Sequence, residues 1–472
     1  MKPGKESNDK KIIWSAPGEK LRPWRERLEI GRALRDEVPR KSHAGWKAGS
    51  NRPDAISLLV ESDQGRIPSL LPIRYGRMLE SPFAFLRGAA TVMACDLTQT
   101  PKTGIRVQAG GDCHIMNFGA FATPERNLIF DVNDFDETLE APWEWDLKRL
   151  AASVSVAGLT VGFKAKDRAA AVLRASRSYR EHMLRYAGMS PLEVWYDRIE
   201  FEPLVNKILT GAERRYTEKQ IAKARQQHFP LHVAPEVAGG GDKAAKPQIV
   251  ENRPLVYHLA GEHRAAFAEK VVHLIKRYRE TLPAHLRVLF DRFEYCDIAM
   301  KVVGIGSVGT FCAVALFVTA DKKPLFLQFK EARRSVLEAY AGRSRYANHG
   351  ERVVVGQRLM QAASDMFLGW TEAQDDNRHF YVRQLRDMKV SMAIDTVNAD
   401  ELGYYADACA RALSRAHARS GDAALIAGYL GSSEAFDETL ATFAADYAQQ
   451  TQIDHEGLKK AAKAGRINVE DV

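Results

Sequence analysis

Val303-Gly304-Ile305-Gly306-Ser307-Val308-Gly309-Thr310 runs straight into Phe311-Cys312-Ala313-Val314-Ala315-Leu316-Phe317-Val318, and this junction decides how the chain folds. A dinucleotide-binding turn with this glycine spacing follows a strand and opens a helix inside a βαβ unit. Here the glycines lead into an apolar run rich in β-formers, which reads as a strand. Residues 298–303 read as the strand before it. Residues 325–330 read as the strand after it, beyond the Asp321-Lys322-Lys323-Pro324 turn. The glycines therefore close an antiparallel hairpin. They either make a tight turn and nothing more, or they lay backbone over phosphates. Lys330 ends the third run beside this hairpin, placed to reach a phosphate oxygen. Glu338 and Glu351 are its candidate partners. The commoner fate of a strand-end lysine is plain solvent exposure.

The second chemistry-bearing stretch lies far upstream. Gly110-Gly111-Asp112-Cys113-His114-Ile115-Met116-Asn117 precedes Leu128-Ile129-Phe130-Asp131-Val132-Asn133-Asp134-Phe135-Asp136-Glu137. A phosphoryl acceptor needs a carboxylate to orient its hydroxyl and take its proton, and Asp112 suits that role. Magnesium needs hard oxygen ligands, which Asn117 and an aspartate of the second run supply. Asp131 and Asp134 are nearest the strand end. Four carboxylates within seven residues are hard to pack unless they face water or a cation. The competing readings are a polar turn for the first run and an exposed acidic turn for the second. His114 reads as a brace for the loop, because no second histidine stands at ligand spacing. Cys113 lacks the pattern of a thiol enzyme and reads as filler.

Around these stretches the 472-residue chain is ordinary: 45% apolar, 27% charged, net charge +8. Lysines and arginines are interspersed with acids, so no specific nucleic-acid binding is expected. The positive excess reads first as a solvated surface, and otherwise as attraction of anionic substrates such as nucleotides. No apolar run is long enough to span a membrane. The polar, basic start lacks the apolar region of a secretory signal. Five scattered cysteines without CxxC spacing favour a reducing, cytoplasmic setting. Helical patterning is expected near residues 28–37, over 74–96 (where Ser81-Pro82 suits a first turn), over 142–186, 262–279 and 352–364, and from 399 to about 463. Strands are expected at 105–107, 128–132 and 379–385. Residues 190–230 read as weakly patterned helix, and the glycine-rich 238–243 as a linker.

Gly111-Asp112-Cys113-His114-Ile115-Met116-Asn117 resembles the G-D-x-H-x-x-N loop of aminoglycoside phosphotransferase-like and choline kinase-like enzymes, with Gly110 where those carry histidine. In those families a metal aspartate comes next in an I-D-F motif, and a second aspartate opens a helix twelve residues later. Here Asp134-Phe135 is followed at that distance by Asp146, in Trp143-Glu144-Trp145-Asp146. The resemblance thus implies Asp134 as the metal ligand and a structural role for Asp146. It implies that Gly304, Gly306, Ser307 and Gly309 cover the phosphates and that Lys330 pairs with them. Residues 379–385, leading to Arg386-Asp387, become a hinge in which Gln384 and Leu385 meet adenine.

The resemblance implies an α+β, kinase-like two-lobe fold in circularly permuted order. Residues 1–55 form a tail and short helix; 56–290 an α-rich large lobe with the catalytic and metal loops; 291–390 a small β-rich nucleotide lobe; 391–472 the helices completing the large lobe. The expected cofactors are ATP and magnesium, with an unknown, small-molecule acceptor. Transfer of AMP instead of phosphate stays open. So do a metal-dependent phosphoesterase built on Asp112, His114, Asp131, Asp134 and Asp136, and a non-catalytic nucleotide binder. From about residue 25 to 460 the chain also looks like the bacterial family called domain of unknown function 2252, through Ser81-Pro82-Phe83-Ala84-Phe85-Leu86-Arg87-Gly88, the Asp112 loop, the Asp134 region, residues 304–310 and Arg352-Val353-Val354-Val355-Gly356-Gln357-Arg358. That likeness implies a bacterial source.

Overall fold

Strands Glu294–Lys301 and Cys312–Val318 pair antiparallel across the Gly-rich turn, as the sequence implies. The structure is a computed structural model that describes residues 22–208, 237–238, 247–259, 262–302, 304–373, 377–385 and 392–470. Pro324–Ala332 is the third strand, with Lys330 opposite Cys312 on one side and Tyr381 on the other. His379–Gln384 and Gly369–Glu372 extend the sheet beyond it, and Val256–Tyr257 closes the opposite edge. All five pairings are antiparallel.

Successive side chains of a strand face opposite ways. Ala313, Ala315 and Phe317 pack with Leu327 and Phe329 against Tyr278 and Phe290, which come from helices Glu262–Thr281 and Ala284–Phe290. Val314, Leu316 and Val318 face the other way and meet Ile249 and Val256. Both faces are buried, which is why the 311–318 run is continuously apolar and does not alternate. Helix His349–Met360 begins ahead of the expected 352–364 span. The Asn348 side chain accepts from the amides of Gly350 and Glu351 at 2.8 and 3.2 Å and so caps it there.

The helical body surrounds Trp143–Thr160, a helix buried along nearly its whole length. Ala165–Ala187, Ala399–Ser420 and Ala435–Lys463 pack about it in one continuous core. The 142–186 region is thus two helices, and the chain after 399 three, with Ala423–Leu430 between the long ones. Residues 74–96 are not one helix. They fall into Leu71–Leu79, Pro82–Gly88 and Ala90–Leu97. Ser81 caps the second by accepting from the Ala84 amide at 3.0 Å. A Cβ at Gly88 would lie 2.6 Å from Met78 Sδ, so the second helix seats directly on the first.

Two small two-stranded antiparallel sheets lie in the body. Arg106–Ala109 pairs with Leu139–Pro142, and Phe118–Ala122 with Leu128–Val132. Neither Phe118–Ala122 nor Leu139–Pro142 is expected from sequence. Both are short and carry no alternation to announce them. At the far side, helix Trp24–Glu37 lies on Ala423–Leu430. A Cβ at Gly31 would stand 2.0 Å from Leu425 O, and one at Gly428 2.0 Å from Leu28 O. Among the described residues no helix is long and apolar enough to cross a membrane.

Candidate functional site

The Asp112 loop leaves strand Arg106–Ala109 and is held at its base by Asp146. The amides of Gly110 and Gly111 donate to the Asp146 carboxylate at 2.7 and 3.0 Å. Gly111 has φ +81, and a Cβ there would lie 2.3 Å from Glu137 O, so only glycine fits. Asp146 sits in the first turn of Trp143–Thr160 and also meets His417 Nε2 at 3.2 Å. His417 Nδ1 in turn meets the Tyr179 hydroxyl at 2.7 Å. Asp146 therefore shapes the loop, the structural part that the resemblance implies for it.

Asp112 itself faces the cleft. One carboxylate oxygen accepts from Arg149 Nε and Nη2 at 2.9 and 2.7 Å. The other lies 3.8 Å from His114 Nε2. Burial pushes the Asp112 carboxyl up to about 7, against the pull of Arg149 and with help from the charges of Asp134 and Glu137. Burial, then Arg87 and Arg149, hold the His114 imidazole well below its ordinary range, so it is neutral. Asn117 turns back and donates from Nδ2 to Asp112 O at 2.7 Å. The Asn133 amide donates to Asn117 O at 2.8 Å, which fastens the two chemistry-bearing loops side by side.

The acidic run divides its charges among different tasks. Asp131 is fully buried against Arg415, at 2.6 Å, and its other oxygen accepts from the Ala362 amide at 2.9 Å. It is a core ion pair. Asp134, with 35% of its side chain exposed, opens onto the cleft. Asp136 accepts from Lys330 Nζ, from Tyr381 Oη at 2.8 Å and from Ser307 Oγ at 3.2 Å. Glu137 accepts from the Val336 amide at 2.7 Å, and burial pushes its carboxyl up.

Lys330 is 3% exposed, with Asp134 at 3.9 Å as its second carboxylate. Burial alone would lower its ammonium. The two aspartates more than offset that and hold it well above the usual range. Neither glutamate expected from the sequence pairs with it. Glu338 accepts from Arg334 Nε at 3.3 Å and from the Ser335 amide at 3.4 Å. Glu351 sits in the first turn of the His349–Met360 helix.

The Gly-rich turn is fastened to the helical body by arginines that sequence reading missed. Arg77 Nη1 donates to Gly304 O at 2.6 Å. Arg66 Nη1 donates to Gly306 O at 2.9 Å and Val308 O at 2.6 Å. Arg352, 1% exposed, donates to the carbonyls of Asp136, Thr138 and Arg333. No motif marks Arg66 or Arg77, because a guanidinium that binds carbonyls needs no fixed spacing in sequence; Arg352 lies in a stretch that carries the family resemblance, but its partners are not legible there.

The result is a cleft of about 380 Å³ between sheet and helices. Asp112, His114, Asn117, Asp134 and Asp136 of the helical body and Gly304, Gly306 and Ser307 of the Gly-rich turn all line it. Lys330 reaches it from behind Asp136. Three further residues expected at the site lie elsewhere. Gly309 borders a separate small recess with Tyr257 and Lys301. The Gln384 amide donates to Asp365, and its residue lines a different pocket with Phe121 and Leu289. The Leu385 amide donates to Phe326 O at 2.9 Å, extending the sheet. Arg386 and Asp387 lie outside the described residues.

Fold and site together define an α+β protein with a polar cleft between an antiparallel sheet and a helical body. The chain belongs to the bacterial family described as an uncharacterised protein conserved in bacteria (DUF2252), whose model matches residues 66–461. No curated protein and no solved structure matches it.

Proposed function

We propose that this protein is an ATP- and magnesium-dependent phosphotransferase of kinase-like, circularly permuted fold, acting on a small-molecule acceptor. The observation that carries the reading is convergence. Asp112, Asn117, Asp134 and the Gly304–Ser307 turn come from distant parts of the chain, yet they line one cleft, with Lys330 ion-paired directly behind it. The order of the sheet supports it as well: Gly-rich turn between the first two strands of the hairpin, lysine on the next.

In this reading Asp112 accepts the proton of the acceptor hydroxyl. That oxygen bonds to the terminal phosphorus, the bond to the bridging oxygen breaks, and ADP leaves with the electron pair. Arg149 fixes the Asp112 carboxylate for this task, and Ser307 and Lys330 fix Asp136 at the seam of the two lobes. Asn117 and Asp134 are the residues that would hold magnesium, which when bound neutralises phosphate charge. Among the described residues no group of three His, Cys, Asp or Glu side chains is gathered as a metal nest. A two-oxygen set suits magnesium, which takes one or two protein carboxylates and completes its shell with phosphates and water. The rival phosphoesterase cluster loses support, because Asp131 and Asp136 are both committed to cationic side chains.

The test is ATP binding with and without magnesium on wild type, Lys330→Ala and Asp112→Ala. Wild type should bind ATP in a magnesium-dependent manner, and Lys330→Ala should bind at least about tenfold more weakly. Asp112→Ala should bind like wild type but turn over roughly 10²–10⁴-fold more slowly. Wild-type turnover by Asp112→Ala, or unchanged binding by Lys330→Ala, would sink the assignment.

A further inference from the structure

Five arginines line the cleft, and four of them are tied down. Arg66 caps carbonyls of the Gly-rich turn, and Arg74 pairs with Asp63 at 2.8 Å. Arg333 donates to carbonyls of Ser62 and Gln64, and Arg334 to Glu338. Arg87 differs. Its Nε is buried without a partner, as is that of Arg74, but among the described residues no hydrogen bond or ion pair reaches any nitrogen of its guanidinium. It has the Phe83 ring at 5.9 Å and the more distant charges of Asp112 and Glu80. A guanidinium beside a cleft with no partner on any of its nitrogens points to a missing acceptor.

Two more features face the same place. Helix Ala90–Leu97 starts there without any side-chain cap, because its N-cap is Ala89. Ala90 and Thr91 line the cleft, so the helix presents uncapped amides and the positive end of its dipole. His114, 4% exposed and lining the same cleft, has a buried Nδ1 with no hydrogen-bond partner. A cation, an open helix start and an orphaned ring nitrogen make an anion site.

We propose that Arg87, His114 and the start of the Ala90–Leu97 helix form an oxyanion pocket beside Asp112 that grips a phosphate or carboxylate on the acceptor substrate. This rests on the phosphotransferase reading and narrows its acceptor to an anionic small molecule carrying a hydroxyl. The pocket is built from the helical body and the Asp112 loop, on the wall where an acceptor hydroxyl must sit to reach Asp112. The Gly-rich turn and Lys330 come from the sheet. The alternative source of the same chemistry is the nucleotide's own terminal phosphate, since the Gly306 backbone lies over Arg87 O.

Calorimetric titration with inorganic phosphate separates the two sources. Wild type should bind phosphate, Arg87→Ala should bind at least tenfold more weakly, and Arg87→Lys should recover part of the loss. Affinity should persist when a non-hydrolysable ATP analogue and magnesium saturate the protein. Should Arg87→Ala fail to fold, His114→Phe serves in its place and should show the same loss. Equal phosphate binding by wild type and these variants, or none by wild type, overturns the pocket. Competition between phosphate and the analogue overturns the acceptor assignment and gives the pocket to the nucleotide. Phosphate binding without any ATP binding keeps the pocket and removes the phosphotransferase reading instead.

Discussion

Asp112 carries opposite instructions for function and for stability. A free aspartate titrates near 3.9, and burial in the folded protein pushes Asp112 up to about 7. Ionising it is therefore harder in the folded state than in the unfolded one. The unfolded chain releases this proton first, so the residue weakens the fold progressively as pH rises from about 4 to about 7. Asp112→Asn, which cannot ionise, should be more stable than wild type at pH 8, by on the order of a few kcal/mol, and nearly equal to it at pH 4. Denaturant unfolding of both proteins at the two pH values checks this. On the phosphotransferase reading, turnover should move the other way, rising through about pH 7 in wild type and falling roughly 10²–10⁴-fold in the variant. A stability difference independent of pH would mean that Asp112 is not the buried titrating group. The sequence placed Asp112 in a loop with Asn117, because spacing and turn residues are local properties. It said nothing of Arg149, whose meeting with Asp112 depends on how helices pack.

The acidic loop shows what an element adds beyond its letters. Four carboxylates look equivalent in the run from Asp131 to Glu137, yet each ends in a different environment. Position settles the first division: Asp131 is the last but one residue of Leu128–Val132, a strand buried on both faces, and meets Arg415 in the core. Asp134 lies past the strand end and opens to the cleft. The resemblance, through its spacing to Asp146, implies Asp134 over Asp131, while the partners of Lys330 are illegible in sequence: both candidate glutamates lie downstream, and Asp136 comes from 194 residues upstream. Substitution separates the two roles. Asp131→Asn removes one partner of a fully buried ion pair and should destabilise the fold by about 3–5 kcal/mol. Asp134→Asn, a third exposed and 3.9 Å from Lys330, should destabilise the fold less than Asp131→Asn while raising the magnesium concentration needed for ATP binding. Unfolding curves together with magnesium titrations read both effects, and a larger stability loss for Asp134→Asn than for Asp131→Asn would reverse the assignment.

At the scale of the molecule, the two ends of the described chain form one body. His417, from the Ala399–Ser420 helix, steadies Asp146 and through it the Asp112 loop, so a residue near the end of the chain shapes a loop near its beginning. The same dependence runs through Trp24–Glu37 and Ala423–Leu430, which approach so closely that Arg35 and Arg40 bond carbonyls of Tyr429 and Leu430 at 2.8 and 2.7 Å. Amphipathic patterning marked most of these helices, whereas the contact between them rests on glycines that look like weak points in a helix. Two substitutions tell them apart. Gly428→Ala drives a Cβ to 2.0 Å from Leu28 O, a backbone atom that cannot swing aside, and should destabilise the protein by about 1–3 kcal/mol or more as the helices separate. Gly457→Ala, in the last helix, meets nothing within 4 Å and should stabilise by about 0.5–1 kcal/mol through helix propensity alone. Thermal unfolding of both variants is the measurement. If the terminal helices belong to the body that holds Asp112, Gly428→Ala should also lower the temperature at which the cleft loses ATP. Unfolding of the helices with ATP binding intact would mean that the loop is held without them.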